Sequence, residues 1–455
     1  MLVVTLRTLS SSSSPFLYNP LVPKPSSNPH PKCRATCPCS YPALRITLYA
    51  GCKSEYQSER GLQFETGESF FRHESATGRD LGVLAASLYR KSKGKLRVLD
   101  ALCGCGVRSL RYLVEAEADF VLANDANEEY NSVICKNLSR MVPSGPGDEC
   151  RWRVTNSDAN RIMTECYLQR DFFDFIDVDS FGSDSSFLRS AMNALRLDGL
   201  LYVTSTDGFS SGGHRPHHSL AAYGAYIQPL PYSNEVGLRM LIGGAVREAS
   251  VLGYRVAPLF SYYAYHGPVF RVLLRVNRGK LPDNSLPFMI DIMVSLATVS
   301  SVETLKHFLG MNLVKLVASA LTQRKVSESV IVSGPLWTGP LHDTVYVQEM
   351  LNLAEEWGWT GRDTETSLEK VLKQMVDESD PRLPFGYIKL DEVASRAKIN
   401  SPPLRTMMSA IQKEGYAASR SHIVSNAIKT NCPMTVCIRI AKELQQCCSA
   451  ENVVS

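Results

Sequence analysis

The stretch from Lys95 to Asp125 constrains this chain more than any other. Lys95–Ala101 (KLRVLDA) is an apolar run with an acid, Asp100, near its end, the pattern of a buried parallel strand. Leu102-Cys-Gly-Cys-Gly-Val-Arg108 follows, and then an amphipathic helix carrying Leu110, Leu113 and Val114. Asp119–Asp125 (DFVLAND) reads as a second short strand, ending on an acid 21 positions after Gly104. Strand, glycine turn, helix, strand, acid is half of a dinucleotide-type α/β fold. The glycines let the backbone approach a ligand, and the acid suits ribose hydroxyls. Leu102 stands where such turns usually begin with glycine, so the turn alone leaves a purely structural role open.

Three more strand-like segments end on acids. Trp152–Asp158 closes on Asp158, Phe172–Asp179 on Asp179, and Gly199–Asp207 on Asp207. Ligands of open α/β sheets bind outside the carboxyl ends of the strands, so Asp100, Asp125, Asp158, Asp179 and Asp207 are expected to converge on one crevice. A dehydrogenase rarely needs so many. The order, with an acid-x-aromatic-glycine element (Asp179-Ser-Phe-Gly182) at the fourth strand, is the plan of S-adenosylmethionine-dependent methyltransferases acting on exocyclic amines. Methyl transfer needs the nitrogen aligned with the methyl group and an acceptor for its N–H. Asp179 is a candidate acceptor, and Phe181 could stack on a base pulled from its helix.

Charge and composition bound the rest. With 44% hydrophobic and 21% charged residues over 455 positions, the chain can bury a core, which excludes a disordered or fibrous protein. No stretch approaches the ~18–20 apolar residues of a membrane-spanning helix. Before Glu55 there is no acid at all, while Arg7, Lys24, Lys32, Arg34, Arg45 and Lys53 are all basic. Residues 1–50 are also rich in Ser and Pro, the composition of an organelle transit peptide. That predicts a disordered leader sent to the chloroplast, with the mitochondrion as the alternative. Thirteen cysteines form no paired C-x-x-C units in the folded part, so no structural zinc is expected.

The chain resembles the tRNA (guanine-26-N2)-dimethyltransferases over roughly residues 60–440. The resemblance rests on Phe70-Phe71, Gly78-Arg79-Asp80-Leu81, Asp100 through Tyr112, Asp177-Val-Asp179-Ser-Phe-Gly182 and Val203-Thr-Ser-Thr-Asp207. Gly334-Pro-Leu-Trp337-Thr-Gly-Pro-Leu-His-Asp343 and Gly415-Tyr-Ala-Ala-Ser-Arg420-Ser-His422 extend it towards the C-terminus. It implies a doubly wound, Rossmann-like class I methyltransferase domain over 55–280. A smaller α+β tRNA-binding domain over 281–445 would include a winged-helix-like part. By the same resemblance, the cofactor is S-adenosyl-L-methionine, bound by Arg79, Arg108, Asp125, Asp158 and Ala159. Asp179 is the implied catalytic aspartate, and Phe70, Phe181, Arg420 and His422 the implied substrate contacts. The implied partner is tRNA, with no membrane and no stable protein partner. Two departures stand out: Ser180 replaces the family's proline, and the family's cysteine pairs before the Trp337 string are absent. The first keeps a catalytically weakened RNA-binding protein open as an alternative, beside an amine methyltransferase acting on another nucleic acid. The C-terminal part adds a signal of its own, ten Lys and Arg against three acids over 382–442. That balance suits phosphate binding.

Overall fold

The computed structural model describes residues 2–3, 56–141, 150–278, 290–296, 330–361 and 367–451. The expected leader lies outside these residues, except for Leu2–Val3, which pair with Met293–Val294. Seven strands form the main sheet: β1 (Arg97–Asp100), β2 (Phe120–Asn124), β3 (Trp152–Thr155), β4 (Phe173–Asp179), β5 (Leu195–Ser205), β6 (Tyr254–Ala264) and β7 (Val269–Arg278). Their order is β3-β2-β1-β4-β5-β7-β6. β1 to β5 run parallel, and β7 runs antiparallel to both of its neighbours. The order reverses between β1 and β4, which opens a crevice at their carboxyl ends.

The strands read as apolar runs because both faces of the sheet are covered. Successive residues point to opposite faces. Val98, Val121, Phe175 and Leu200 therefore join the core beneath helices α1 (Ala76–Lys93) and α2 (Val107–Val114). Leu99, Leu122, Ile176 and Leu201 join the core on the other face, with α4 (Ala159–Leu168) and the helix Ser233–Val251. A further helix, α3 (Asn131–Met141), follows β2. The turn between β1 and α2 needs its glycines: Gly104 has φ +55° and Gly106 φ +79°, a region that side chains disfavour.

The C-terminal part departs from the boundary expected near residue 280. Helices Thr344–Glu356 and Ser367–Asp377 supply Tyr346, Val347, Met350, Leu372 and Met375 to the core that also holds Leu81 and Leu84 of α1. Trp337 and Leu341 fill the core on the opposite face. The Gly334–Asp343 string is therefore packing. Trp337 is buried, Arg239 donates to the carbonyls of Trp337 and Gly339, and Asp343 caps the next helix. A separate core begins only at Leu390 and runs to Ala441. Its helices Leu390–Ala397 and Leu404–Lys413 precede strands Ala418–Arg420 and Ala427–Thr430, and Ile388–Lys389 completes a three-stranded antiparallel sheet. Helix, turn, helix, hairpin is the winged-helix-like arrangement expected.

Candidate active site

A cavity of about 560 Å³ opens at the carboxyl ends of β1, β2, β4 and β5. That size lies within the range of small-molecule and cofactor sites. Phe70, Arg79, Arg108, Asp125, Asp179 and Phe181 all line it. Asp158, Ala159, Arg420 and His422 do not.

One side of the cavity is the glycine turn. The Gly104 N–H donates to Asp125 Oδ2 at 2.9 Å, and Asn127 N–H donates to Asp125 Oδ1 at 3.0 Å. A Cβ on Gly104 would meet no atom within 4 Å, so the backbone borders open space where a ligand can approach. An acid held beside a bare peptide edge suits the hydroxyls of a nucleoside. Of the five acids expected at this edge, only Asp125 and Asp179 line the cavity. Asp100 is fully buried inside the sheet, where Ser109 donates to it and burial next to Asp177 pushes its pKa up to about 8. Asp158 and Asp207 cap the helices that follow them, accepting from the N–H groups of Arg161 and Ser210. Ala159 packs beneath the sheet. Acids at strand ends also satisfy free helix N–H groups, and sequence spacing does not separate the two uses.

Asp179 carries the strongest field in the site. Arg108 Nη2 donates to its Oδ2 at 2.6 Å, and Arg271 Nη1 to its Oδ1 at 3.1 Å. Burial acts to raise its pKa, but the two guanidiniums outweigh that and hold the carboxyl well below the usual carboxylate range. Arg108 also donates to Asp177 at 2.8 Å, as does the Tyr112 hydroxyl at 2.6 Å. Asp177 is 0% exposed, which removes it as a substrate contact. The loop after Asp179 is tied to the end of β5. Ser180 Oγ donates to Thr204 O at 2.9 Å, and Gly182 N–H to Thr206 Oγ1 at 2.6 Å. The serine thus ties the loop to β5 by a buried hydrogen bond that a proline could not make.

Phe70 and Phe181 stand at the mouth, their rings edge to face at 5.1 Å and 48% and 72% exposed. Exposed aromatics beside an ionised acceptor are the parts a flipped base requires. Arg79 lies deeper. It pairs with Glu59 and donates to Arg72 O at 2.8 Å, and neither Asp80 nor Glu74 is its partner. Asp80 is instead taken by Arg60 and Arg111. Sequence reasoning missed Arg271, although a single charge within the apolar run Phe270-Arg271-Val272-Leu273-Leu274 was a usable signal.

The C-terminal residues require correction. The His422 side chain is 0% exposed, its Nδ1 3.0 Å from Glu378 Oε2, so it is a buried partner and not a tRNA contact. Lys429 is 4% exposed and pairs with Glu235 at 2.8 Å. Arg420 is half-buried, with an Nε that has no hydrogen-bond partner. Basic residues next to a motif carried the expectation, and burial reversed it. Among the described residues His342, Glu378 and His422 form the one group of metal-ligating type. Yet Lys429 Nζ lies 3.8 Å from Glu378 Oε2, and Ser261 N–H donates to His342 Nδ1 at 3.4 Å. The neutral His342 ring then carries its proton on Nε2, the nitrogen that faces Glu378 and that a metal would need.

The comparisons with known proteins agree with this geometry. The family described as N2,N2-dimethylguanosine tRNA methyltransferase matches residues 53–442. A tRNA (guanine(26)-N(2))-dimethyltransferase of Thermococcus kodakarensis is 30% identical over 386 residues, covering 82% of this chain and 93% of its own. One from Saccharolobus solfataricus is 29% identical over 392 residues, covering 85% and 94%. The solved complex of Pyrococcus horikoshii Trm1 with S-adenosyl-L-methionine shares the fold, with a TM-score of 0.65 at 24% identity and 85% and 99% coverage. A glycine turn facing an acid, an aspartate held between two arginines and a match spanning nearly the whole described chain have one common reading: the chain belongs to the N2,N2-dimethylguanosine tRNA methyltransferase family.

Proposed function

We propose that this chain transfers methyl groups from S-adenosyl-L-methionine to the exocyclic N2 of guanine-26 of tRNA, giving mono- and dimethylguanosine. The observation that carries the reading is Asp179, ionised between Arg108 and Arg271 on the cavity wall beneath two exposed phenylalanines. Asp125, the Gly104 backbone and Arg79 are the residues that would hold the cofactor, whose chemistry is an electrophilic methyl group. Phe70 and Phe181 part to admit the base. Asp179 then accepts an N–H from the exocyclic amine and turns its lone pair towards the methyl group. As the N–C bond forms and the S–C bond breaks, the nitrogen becomes a far stronger acid than any carboxylic acid. Even a carboxylate with a lowered pKa can therefore take the proton. A second round needs only that the remaining N–H turn onto Asp179.

Incubating the chain with labelled cofactor and tRNA, then digesting to nucleosides, tests this reading. Label in N2-methylguanosine and N2,N2-dimethylguanosine is the expected result. Label in another nucleoside, or none, refutes it.

The same reading places tRNA on the winged-helix-like unit. Of its ten cations, Lys389, Lys398, Arg405, Lys413 and Lys442 are exposed and form no ion pair among the described residues. Residues 1–50 are proposed to direct import into the chloroplast, with the mitochondrion as alternative, on the strength of their acid-free Ser/Pro composition. A fluorescent protein fused to them should reach plastids, and a cytosolic signal refutes that part.

A further inference from the structure

Ten large hydrophobic side chains are exposed among the described residues, and six of them are aromatic. Two of these six line the cavity, and two more stand on the segments that border it. Phe70 and Phe181 line the cavity; Phe209 follows Thr206, which lines it; Tyr265 precedes Gly267 and Pro268, which also line it. Random scatter of surface aromatics would not gather them so.

The loops that carry these rings form one continuous rim. A Cβ on Gly208 would lie 2.4 Å from Pro268 Cγ, so the loop after β5 and the turn between β6 and β7 pack without room for a methyl group. Arg72 Nη1 donates to His266 O at 3.2 Å, joining that turn to the Phe70 segment. Each side also sets a cation on a ring. The Arg72 guanidinium lies 4.9 Å over Phe70, and that of Arg215 lies 4.6 Å over Phe209. Both arginines are exposed, and neither forms an ion pair among the described residues. His214 is exposed beside Arg215, and His217 and His218 are exposed on the helix Pro216–Tyr223; the one acid from Thr204 to His218, Asp207, caps a helix and lies 3.5 Å from His218 Nδ1.

We propose that this rim, centred on Phe209 and Arg215, is a second RNA-binding surface that stacks the unpaired bases and grips the phosphates flanking the target guanine. The inference rests on the tRNA reading above and assigns residues which that reading does not use. A base pulled from its helix leaves its neighbours without stacking partners. Aromatic rings and guanidinium planes supply such partners for single-stranded RNA. The unpaired cations complement the phosphate backbone. A protein partner would not need arginines set over exposed rings beside the opening where a nucleotide must enter.

The full chain and an unmodified tRNA transcript provide the test, with affinity read by fluorescence anisotropy at several salt concentrations. Phe209→Ala should weaken binding roughly 5- to 150-fold, the range for removing one stacked base, and leave the salt slope unchanged. Phe209→Trp should restore it, which a merely misfolded alanine variant would not explain. Arg215→Ala should lower the salt slope by roughly 0.7–0.9. S-adenosyl-L-methionine affinity, measured by calorimetry, should stay constant in all of them. Tyr167→Ala, an exposed aromatic on α4, should change nothing. If wild type methylates tRNA while Phe209→Ala and Arg215→Ala bind it normally, the rim proposal alone is overturned. If Tyr167→Ala loses as much as Phe209→Ala, the rim is equally overturned. If wild type neither binds nor methylates tRNA, the functional reading falls and the rim with it.

Discussion

Replacing Arg271 by methionine removes one jaw of the clamp on Asp179 and leaves the carboxylate in place. Arg271 is 3% exposed and makes two side-chain bonds, to Asp179 Oδ1 at 3.1 Å and to Thr204 Oγ1 at 2.7 Å. Hydrogen bonds to charged groups contribute about 1.5–3 kcal/mol each. If one such bond holds Asp179 in its reactive orientation, losing it should lower kcat roughly 10- to 150-fold. The pH profile should move as well. The charged groups facing Asp179 are Arg108 from α2, Arg79 from α1, Arg271 from β7, Asp177 from its own strand and Asp100 from β1. Removing one cation from that set raises the carboxyl pKa, so the acid limb of the kcat profile shifts to higher pH. A second perturbation reaches the same group without touching it: a Cβ on Gly78 would lie 2.6 Å from Arg271 Nε. Gly78→Ala should therefore push Arg271 off Asp179 and reproduce both changes in milder form. The assay is single-turnover methylation of tRNA from acid to neutral pH, with thermal melting to confirm folding. An unchanged rate and an unchanged acid limb in Arg271→Met would refute the clamp. A lower rate with a fixed limb would reduce Arg271 to packing.

Three more outcomes follow from charge and burial. Lys429→Met takes the shared ammonium from Glu235 and Glu378, both buried, leaving Arg239 and His422 as their remaining partners, and should cost about 3–5 kcal/mol in denaturant unfolding; a loss below 1 kcal/mol would contradict a buried pair. At temperatures where that variant is folded, its tRNA affinity should match wild type. Arg405→Ala with Lys413→Ala, exposed on the helix Leu404–Lys413, should lower the salt slope of tRNA binding by roughly 0.7–0.9 per residue and spare cofactor affinity. Acid should loosen the joint around His342, whose pKa burial pushes down to about 4. Its unfolded value is near 6.5, so the unfolded chain takes up the proton first and stability falls as pH drops from about 6.5 to 4, by roughly 3 kcal/mol. Glu378, held well below the usual carboxylate range by His422 and Lys429 against burial, adds a further loss once pH falls below the ordinary Glu value of about 4.3. Melting temperature against pH checks this, and a His342→Gln profile that stays as steep would assign the dependence elsewhere.

The five parallel strands were legible because both faces of the sheet are covered, so most of them are apolar runs that stop at polar residues, whereas the antiparallel β6 and β7 were not read. The glycine turn, Asp125 and Asp179 were legible for the same reason: chemistry at strand ends leaves charges where strands stop. The two C-terminal helices and the strand after Gly415 were readable, and the structure adds the second hairpin strand, Ala427–Thr430. Other features were not, because sequence reports what a residue is and not what covers it. Lys429 and His422 look like surface cations until Glu235 and Glu378, far away in the chain, are placed beside them. Arg271 is the converse, a charge in an apolar strand whose purpose appears only when β7 lies next to β5. The Trp337 string is distinctive because it sits between two parts of the core, and a residue can be as restricted by packing as by catalysis.

The Lys429 joint has a consequence for how a substrate would be chosen. Its ammonium sits between Glu235 of the catalytic core and Glu378, while Arg239 and the Gly386 N–H hold the other side of Glu235. Charges removed from water in this way are either paired or severely destabilised, so the joint has no cheap half-open state. The basic helix and the cavity are therefore two points on one stiff frame. A folded RNA gripped at the first presents to the second whichever nucleotide lies at the matching distance. An enzyme that held tRNA on that helix would locate its target by length, with little need to read the bases between.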